Sequence, residues 1–134
     1  MLAAHDSAAG SCQIGNLNGD VYGDLLVGAP GEAVGEITAG GMYAFRGTST
    51  AFAPHLGFGQ STGGWTNGNG ERFGQSFAFA DVDGSTTDLV IAAPGNVVGG
   101  VGYAGSLFLW RTAGNNAPTA WRAVGVDSKS PYAE

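Results

Sequence analysis

The chain has 134 residues, a formal net charge of -6 and a single cysteine. This length suits one domain with a hydrophobic core, and the acidic balance argues against a nucleic-acid-binding protein, which needs a basic face. One cysteine excludes an intramolecular disulfide bond, and no apolar run is long enough for a transmembrane helix, so we expect no insertion into a membrane.

The elements predicted along the chain are short β-strands separated by turns rich in glycine, of which there are 25. Each of two copies of a repeat reads strand, acidic loop, apolar strand, glycine-rich loop and strand. The apolar strand at residues 24–30 is repeated at 88–94, and proline ends both strands because it cannot donate to the sheet. A fourth strand is predicted near residues 55–60 and again near 120–126.

Four short strands per copy, joined by turns, are typical of one blade of a β-propeller. The sequence therefore predicts an all-β fold in which residues 1–134 form one unit. We place blade one at about residues 8–62 and blade two at about residues 71–127. Cys12 falls in a predicted strand, where a free thiol is expected to behave as a small buried hydrophobic residue.

Short motifs at equivalent places in the two copies resemble FG-GAP repeats. The pair FG at residues 73–74 precedes the second acidic loop, and the apolar strands end in GAP at 28–30 and in AAP at 92–94. FG-GAP repeats build the seven-bladed β-propeller of integrin α subunits and of many bacterial secreted or surface proteins. The resemblance spans about residues 8–112, and it implies an integrin-like propeller with calcium in the acidic loops.

The chain departs from the family pattern in three ways. The first copy has Ala8 and Ala9 where the FG pair would stand. A second FGQS, at residues 58–61, has no acidic loop behind it, and we interpret it as part of an outer strand. Two repeats do not close a propeller of this family, so we expect two blades that are either part of a propeller or completed by oligomerisation.

The first acidic loop has oxygen-bearing residues at the spacing of a calcium loop. Calcium takes six to eight oxygen ligands from carboxylates, amides, backbone carbonyls and water. The predicted ligands are Asn16, Asn18, Asp20, the backbone carbonyl of Tyr22, and Asp24. An alternative stays open, because asparagine, glycine and aspartate also favour turns without any metal. Val21 stands where the family often has glycine, and a β-branched residue disfavours left-handed backbone.

The second acidic loop is one residue shorter than the pattern. Asp81 and Asp83 keep its first two positions, and Asp88 could close the site if the loop contracts. Ser85 or Thr86 could replace the missing fifth-position aspartate with a hydroxyl or a carbonyl oxygen. Calcium and a metal-free turn are both compatible with this loop.

The remaining polar residues give no sign of catalysis, so we do not expect an enzyme. Two aspartates within one loop could form a glycosidase pair, but each pair lies so close in sequence that one shared ion explains it better. Among the aromatic residues, Trp110 is predicted to be core. Trp65 lies in a polar segment and is the best candidate for an exposed ring that contacts a ligand.

The function predicted from these features is a calcium-stabilised extracellular binding or adhesion module that recognises protein or glycan ligands. The family resemblance implies a location outside the cell, secreted or at the cell surface. The prediction rests on the resemblance alone, because no signal peptide is visible in this chain. One alternative is a lectin with sugar sites between blades, and another is the non-catalytic propeller part of a larger secreted enzyme. As partners we expect further copies of the chain, in a homo-oligomer, or the rest of a larger chain.

Overall fold

The protein is mostly β, with 52% of the residues that the structure describes in strands and 4% in helix. A computed structural model describes residues 10–82, 84, 87–112 and 118–125. The prediction of an all-β protein is confirmed, and the sheets are antiparallel. No helix in these described ranges is both long enough and apolar enough to cross a membrane.

The first four-stranded sheet, called here the N-sheet, lies between residues 11 and 58. Its strands form an antiparallel meander in the order β1, β2, β5, β6. The connection from β2 to β5 contains a separate small hairpin of β3 and β4. The strands are β1 (Ser11–Gly15), β2 (Asp24–Ala29), β3 (Ala33–Val34), β4 (Ile37–Thr38), β5 (Gly41–Gly47) and β6 (Phe52–Phe58).

The second four-stranded sheet, the C-sheet, has the same meander with strands in the order β7, β8, β9, β10. Its strands are β7 (Ser76–Ala80), β8 (Asp88–Ala93), β9 (Ser106–Arg111) and β10 (Thr119–Val124), and a short 3-10 helix (Gln60–Gly63) follows the N-sheet. In each sheet the acidic loop joins the first strand to the second. The repeat read from the sequence is therefore also a repeat of strand order.

The second strand of each sheet ends directly before its proline, as predicted. Strand β2 ends at Ala29 and β8 at Ala93, followed by Pro30 and Pro94. Along both strands fully buried residues alternate with half-buried ones. Since successive side chains point to opposite faces of a sheet, one face of each strand is covered and the other is covered only in part.

The hydrophobic core lies between the two sheets. Phe58 of the N-sheet and Trp110 of the C-sheet approach with ring centroids 5.0 Å apart. Fifteen hydrophobic residues are buried in the described chain, and most belong to one cluster. That cluster consists of Leu17, Leu26, Met42, Ala44, Phe58, Phe73, Phe77, Leu89, Ile91, Ala93, Phe108, Trp110 and Ala123.

The Phe73-Gly74 pair links the sheets. The Phe73 ring is fully buried, with its centroid 5.4 Å from that of Phe108. The Gly74 N–H donates to the carbonyl of Ala92 in the C-sheet, and the Gly74 carbonyl accepts from Ser11 Oγ in the N-sheet. A Cβ on Gly28 would lie 2.0 Å from the Gly74 carbonyl oxygen, so the close approach requires glycine there.

Three predictions about local structure need correction. Cys12 is exposed, because it lies on the face of β1 that points away from the core. The FGQS at residues 58–61 is not all strand: β6 ends at Phe58, and the 3-10 helix begins at Gln60. The fourth strands exist, but β6 begins and ends a few residues earlier than predicted.

Candidate functional site

The first acidic loop connects β1 to β2 and is held by its own side chains. The Gly19 N–H donates to Asn16 Oδ1 over 2.6 Å, and the Asp20 N–H donates to Asn18 Oδ1 over 3.0 Å. Asp20 in turn accepts the Tyr22 N–H through Oδ1 and the Asn18 amide through Oδ2. These short-range bonds bring four of the five predicted ligand residues into one compact turn.

Asp24 closes the first loop from within the protein. It is the first residue of β2 and is 1% exposed. Its Oδ2 accepts the Leu17 N–H at 2.8 Å, and its Oδ1 accepts the Gly47 N–H at 2.9 Å. A Cβ on Gly47 would lie 2.0 Å from the Gly23 carbonyl, so glycine permits the approach of β5 to the loop. Asp24 therefore ties together the loop, β2 and the end of β5.

The second loop repeats two of these hydrogen bonds at the corresponding residues. The Gly84 N–H donates to Asp81 Oδ1 over 2.6 Å, as Gly19 does to Asn16. The Val82 N–H donates to Asp88 Oδ2 over 3.0 Å, as Leu17 does to Asp24. The donor glycine of each loop has left-handed backbone, with φ of 78° at Gly19 and 79° at Gly84. The two loops thus begin and close in the same way.

The left-handed residue of the first loop is Gly19 and not Val21, whose φ is not positive. Val21 is instead 90% exposed at the tip of the loop. The loop therefore avoids the strain that a β-branched residue would create with left-handed backbone.

Asp88 differs from Asp24 in one respect that bears on metal binding. Its side chain is 0% exposed, and among the described residues Oδ1 has no hydrogen-bond partner. A buried carboxylate oxygen without a donor is costly, and a bound cation is one way to satisfy it. Asp83 and Ser85, the other predicted ligands in this loop, lie outside the described residues.

The donor set of the loops fits a hard cation. Each side-chain oxygen of Asn16, Asn18, Asp20 and Asp24 accepts one N–H, and a carboxylate or amide oxygen has a second lone pair for a metal. All of these ligands are oxygens, which calcium prefers. Within the described chain no three His, Cys, Asp or Glu side chains form a metal-binding group. A site here would therefore depend on amide and backbone oxygens.

A separate cleft of about 450 Å³ lies among the loops on the side of the sheets where β2 and β8 end. Its lining includes Arg72 and Tyr103, the two non-glycine residues with positive φ in the described chain, at 62° and 57°. Both are exposed, and Tyr103 is 81% accessible. Such backbone is uncommon outside glycine and is found disproportionately at functional sites. The cleft is lined by Pro30, Gly31, Thr38, Gly70, Arg72 and Tyr103.

The segment that carries Arg72 is fixed from both sides. The Gly70 N–H donates to the Thr38 carbonyl, and the Thr38 N–H donates to Asn69 Oδ1. On the other side the Gly95 N–H donates to the Glu71 carbonyl at 3.0 Å. The wall of the cleft is therefore braced between the β3–β4 hairpin and the turn after β8.

Trp65 is half-buried and not the exposed ring that its polar neighbours suggested. Its ring centroid lies 4.9 Å from that of Phe108 and 5.7 Å from that of Trp110, in edge contacts. Contact between Trp65 and a ligand stays a prediction, and only part of the ring is accessible for it. Trp110 is core as predicted, with 1% exposure.

Sequence reasoning missed two features of these sites. Gly47, which is 23 residues from Asp24 in the sequence, donates its N–H to the Asp24 carboxylate. Only one indication of this hydrogen bond was present in the sequence, namely a glycine at the end of an apolar strand. Arg72 and Tyr103 gave no signal, because positive φ in a non-glycine residue cannot be read from residue type.

No family model matches this chain, and no curated protein matches it significantly.

Proposed function

We propose that the chain is a pair of FG-GAP-like propeller blades that serves as a calcium-stabilised extracellular binding or adhesion module. The observation that carries the proposal is the paired geometry of the acidic loops. In both loops a glycine N–H donates to the side-chain oxygen of the first predicted ligand residue. A buried aspartate at the start of the second strand of each sheet accepts another loop N–H. The buried Oδ1 of Asp88, which has no hydrogen-bond partner among the described residues, further supports a cation in the second loop.

Calcium in this role is structural. It would be held in the first loop by Asn16, Asn18, Asp20, the Tyr22 carbonyl and Asp24, and in the second by Asp81, Asp83, Ser85 and Asp88. The ion would neutralise clustered carboxylates in a protein that is acidic overall. It would also tie the loop to the first two strands of its blade, so loss of the ion should loosen both loops.

Thermal unfolding in calcium, magnesium and EDTA tests this role. An ion that binds only the folded chain raises its stability by mass action, by about 2.7 kcal/mol at roughly 100 times the dissociation constant. We expect calcium to raise the melting temperature more than magnesium, which demands a stricter octahedron. Asp81→Asn is the matched variant, because asparagine already holds the equivalent place in the first loop.

For Asp81→Asn we expect the same melting temperature in EDTA as for the wild-type protein, and a smaller increase of the melting temperature in calcium. Identical melting temperatures of the wild-type protein in calcium and in EDTA would contradict the structural role of calcium.

For ligand recognition we assign the cleft between Arg72 and Tyr103. An exposed guanidinium beside a phenol suits an acidic group, since arginine pairs with carboxylates in a fixed bidentate geometry. Acidic side chains of proteins and acidic sugars of glycans both carry such a group. The backbone carbonyl of Arg72 accepts the Gln75 N–H, and the Arg72 side chain is exposed to solvent, so its charge can reach a ligand.

Glycine variants separate binding from folding at this cleft. Arg72→Gly and Tyr103→Gly keep the left-handed backbone at no steric cost, so we expect little change in melting temperature. On arrays of acidic peptides and acidic glycans we expect wild-type binding to be lost in both variants. Binding that persists in both, or no binding by the wild-type protein, would reject the cleft as the ligand site without affecting the calcium prediction.

A further inference from the structure

The internal contact between the sheets uses one face of each sheet. On the N-sheet this inner face carries Leu26, Met42 and Ala44, all buried. On the C-sheet it carries the pairs Leu89–Trp110 and Ile91–Phe108, whose four side chains are at most 1% exposed. On their two central strands the inner faces thus have different residue patterns, smaller and aliphatic in the N-sheet and larger and partly aromatic in the C-sheet, while edge strand β6 adds Phe58 to the N-sheet face.

The strand register shows that the outer face of the N-sheet corresponds to the inner face of the C-sheet. When the two sheets are aligned with Asp24 on Asp88, the N-sheet pair Leu25–Phe45 occupies the position equivalent to the C-sheet pair Leu89–Trp110. In the same way Val27–Tyr43 takes the place of Ile91–Phe108. Leu25, Val27, Tyr43 and Phe45 are only half-buried, so this aromatic and aliphatic pattern is present but not fully covered.

The reverse correspondence holds for the outer face of the C-sheet. The pair Val90–Leu109 takes the place of Leu26–Ala44, which lies at the internal contact. The pair Ala92–Leu107 likewise takes the place of Gly28–Met42. Leu107 is 44% exposed, although Met42 at the equivalent position is fully buried. On its two central strands each sheet therefore presents outward the pattern that the other sheet buries.

We infer that the outer face of the C-sheet packs against the outer face of the N-sheet of a second copy of this chain. The contact would continue the internal one, with the smaller aliphatic face of one copy on the aromatic face of the next. Ile14, on the outer face of the N-sheet and 67% exposed, would be covered in this contact. The inference rests on the proposed equivalence of the two blades but not on calcium.

The predicted contact is heterologous, because two different faces meet. Heterologous contacts build rings if the rotation closes and open chains if it does not. An isologous dimer, in which one face meets its own copy, would pair aromatic with aromatic or aliphatic with aliphatic. The two arrangements therefore differ in how single-face variants combine.

Sedimentation velocity of the chain over a wide range of concentrations tests the inference. We expect species at multiples of the 13.4 kDa monomer, in calcium and in EDTA alike. Ile14→Glu places a charge on the outer face of the N-sheet, and Leu107→Glu places one on the outer face of the C-sheet. Each variant alone therefore lacks one of the two contact faces and is expected to be monomeric. An equimolar mixture of the two variants is expected to form dimers, because each partner keeps the face that the other lacks.

Val101→Glu is the control for charge, since it adds the same charge at an exposed turn residue away from both faces. It is expected to assemble as the wild-type chain does. A wild-type chain that is folded and monomeric at every concentration would overturn the inference, as would variants that fail to complement each other. Either result would leave the calcium prediction standing, because the melting shift is measured on the monomer as well.

Discussion

Replacing Phe73 with alanine is expected to lower the free energy of unfolding by about 3–5 kcal/mol, the usual cost of deleting a buried aromatic ring. The Phe73 ring is fully buried at the contact between the sheets, within 5.4 Å of Phe108 and 6.4 Å of Trp110. Small domains have only about 5–15 kcal/mol of stability in total. We therefore expect urea unfolding to show a much lower midpoint or no folded baseline.

Phe52→Ala is the matched control, because Phe52 is 48% exposed at the start of edge strand β6. Surface substitutions of this kind usually change stability by less than about 0.5 kcal/mol. If the two phenylalanine variants unfolded at the same urea concentration, Phe73 would not link the sheets, and the core between them would need another explanation.

Asp24→Ala is expected to lower the free energy of unfolding by about 2–6 kcal/mol in EDTA, where no bound calcium contributes. The Asp24 carboxylate accepts the N–H groups of Leu17 and Gly47 within a buried site. Alanine would leave both donors without an acceptor, and each buried unsatisfied group costs about 1–3 kcal/mol. The measurement is urea unfolding monitored by tryptophan fluorescence.

The exposed loop residue Asp20 provides the comparison. Asp20→Ala removes local hydrogen bonds in a solvent-exposed turn, and we expect it to cost less than about 1 kcal/mol. Equal unfolding midpoints for Asp20→Ala and Asp24→Ala would mean that Asp24 does not join the loop to β5 in solution.

The strand order of the protein could be predicted from sequence because the repeat is local. Each apolar strand begins at an aspartate and ends before a proline, and both boundaries are set by the chemistry of one or two residues. The first loop was predictable for the same reason, since Asn16, Asn18 and Asp20 bond mainly to each other and to nearby backbone.

The choice of buried face was not predictable from the same pattern. A strand such as β2 is apolar on both sides, so only packing against the second sheet decides that Leu26 is buried more fully than Leu25. Cys12 is exposed for this reason, because it shares the face of Leu25. Trp65 shows the opposite error, since a polar sequence context did not reveal that its ring reaches Phe108 across the core.

Calorimetric titration of calcium into the wild-type chain and into Asn16→Asp measures directly whether the acidic loops bind the ion. The first loop has asparagine where a further carboxylate would add charge to the site, and calcium affinity rises with the number of charged ligands. We expect saturable calcium binding to the wild-type chain and tighter binding, by severalfold or more, in Asn16→Asp. Absence of calcium binding in both proteins would mean that the acidic loops are metal-free turns and that calcium has no structural role in this protein.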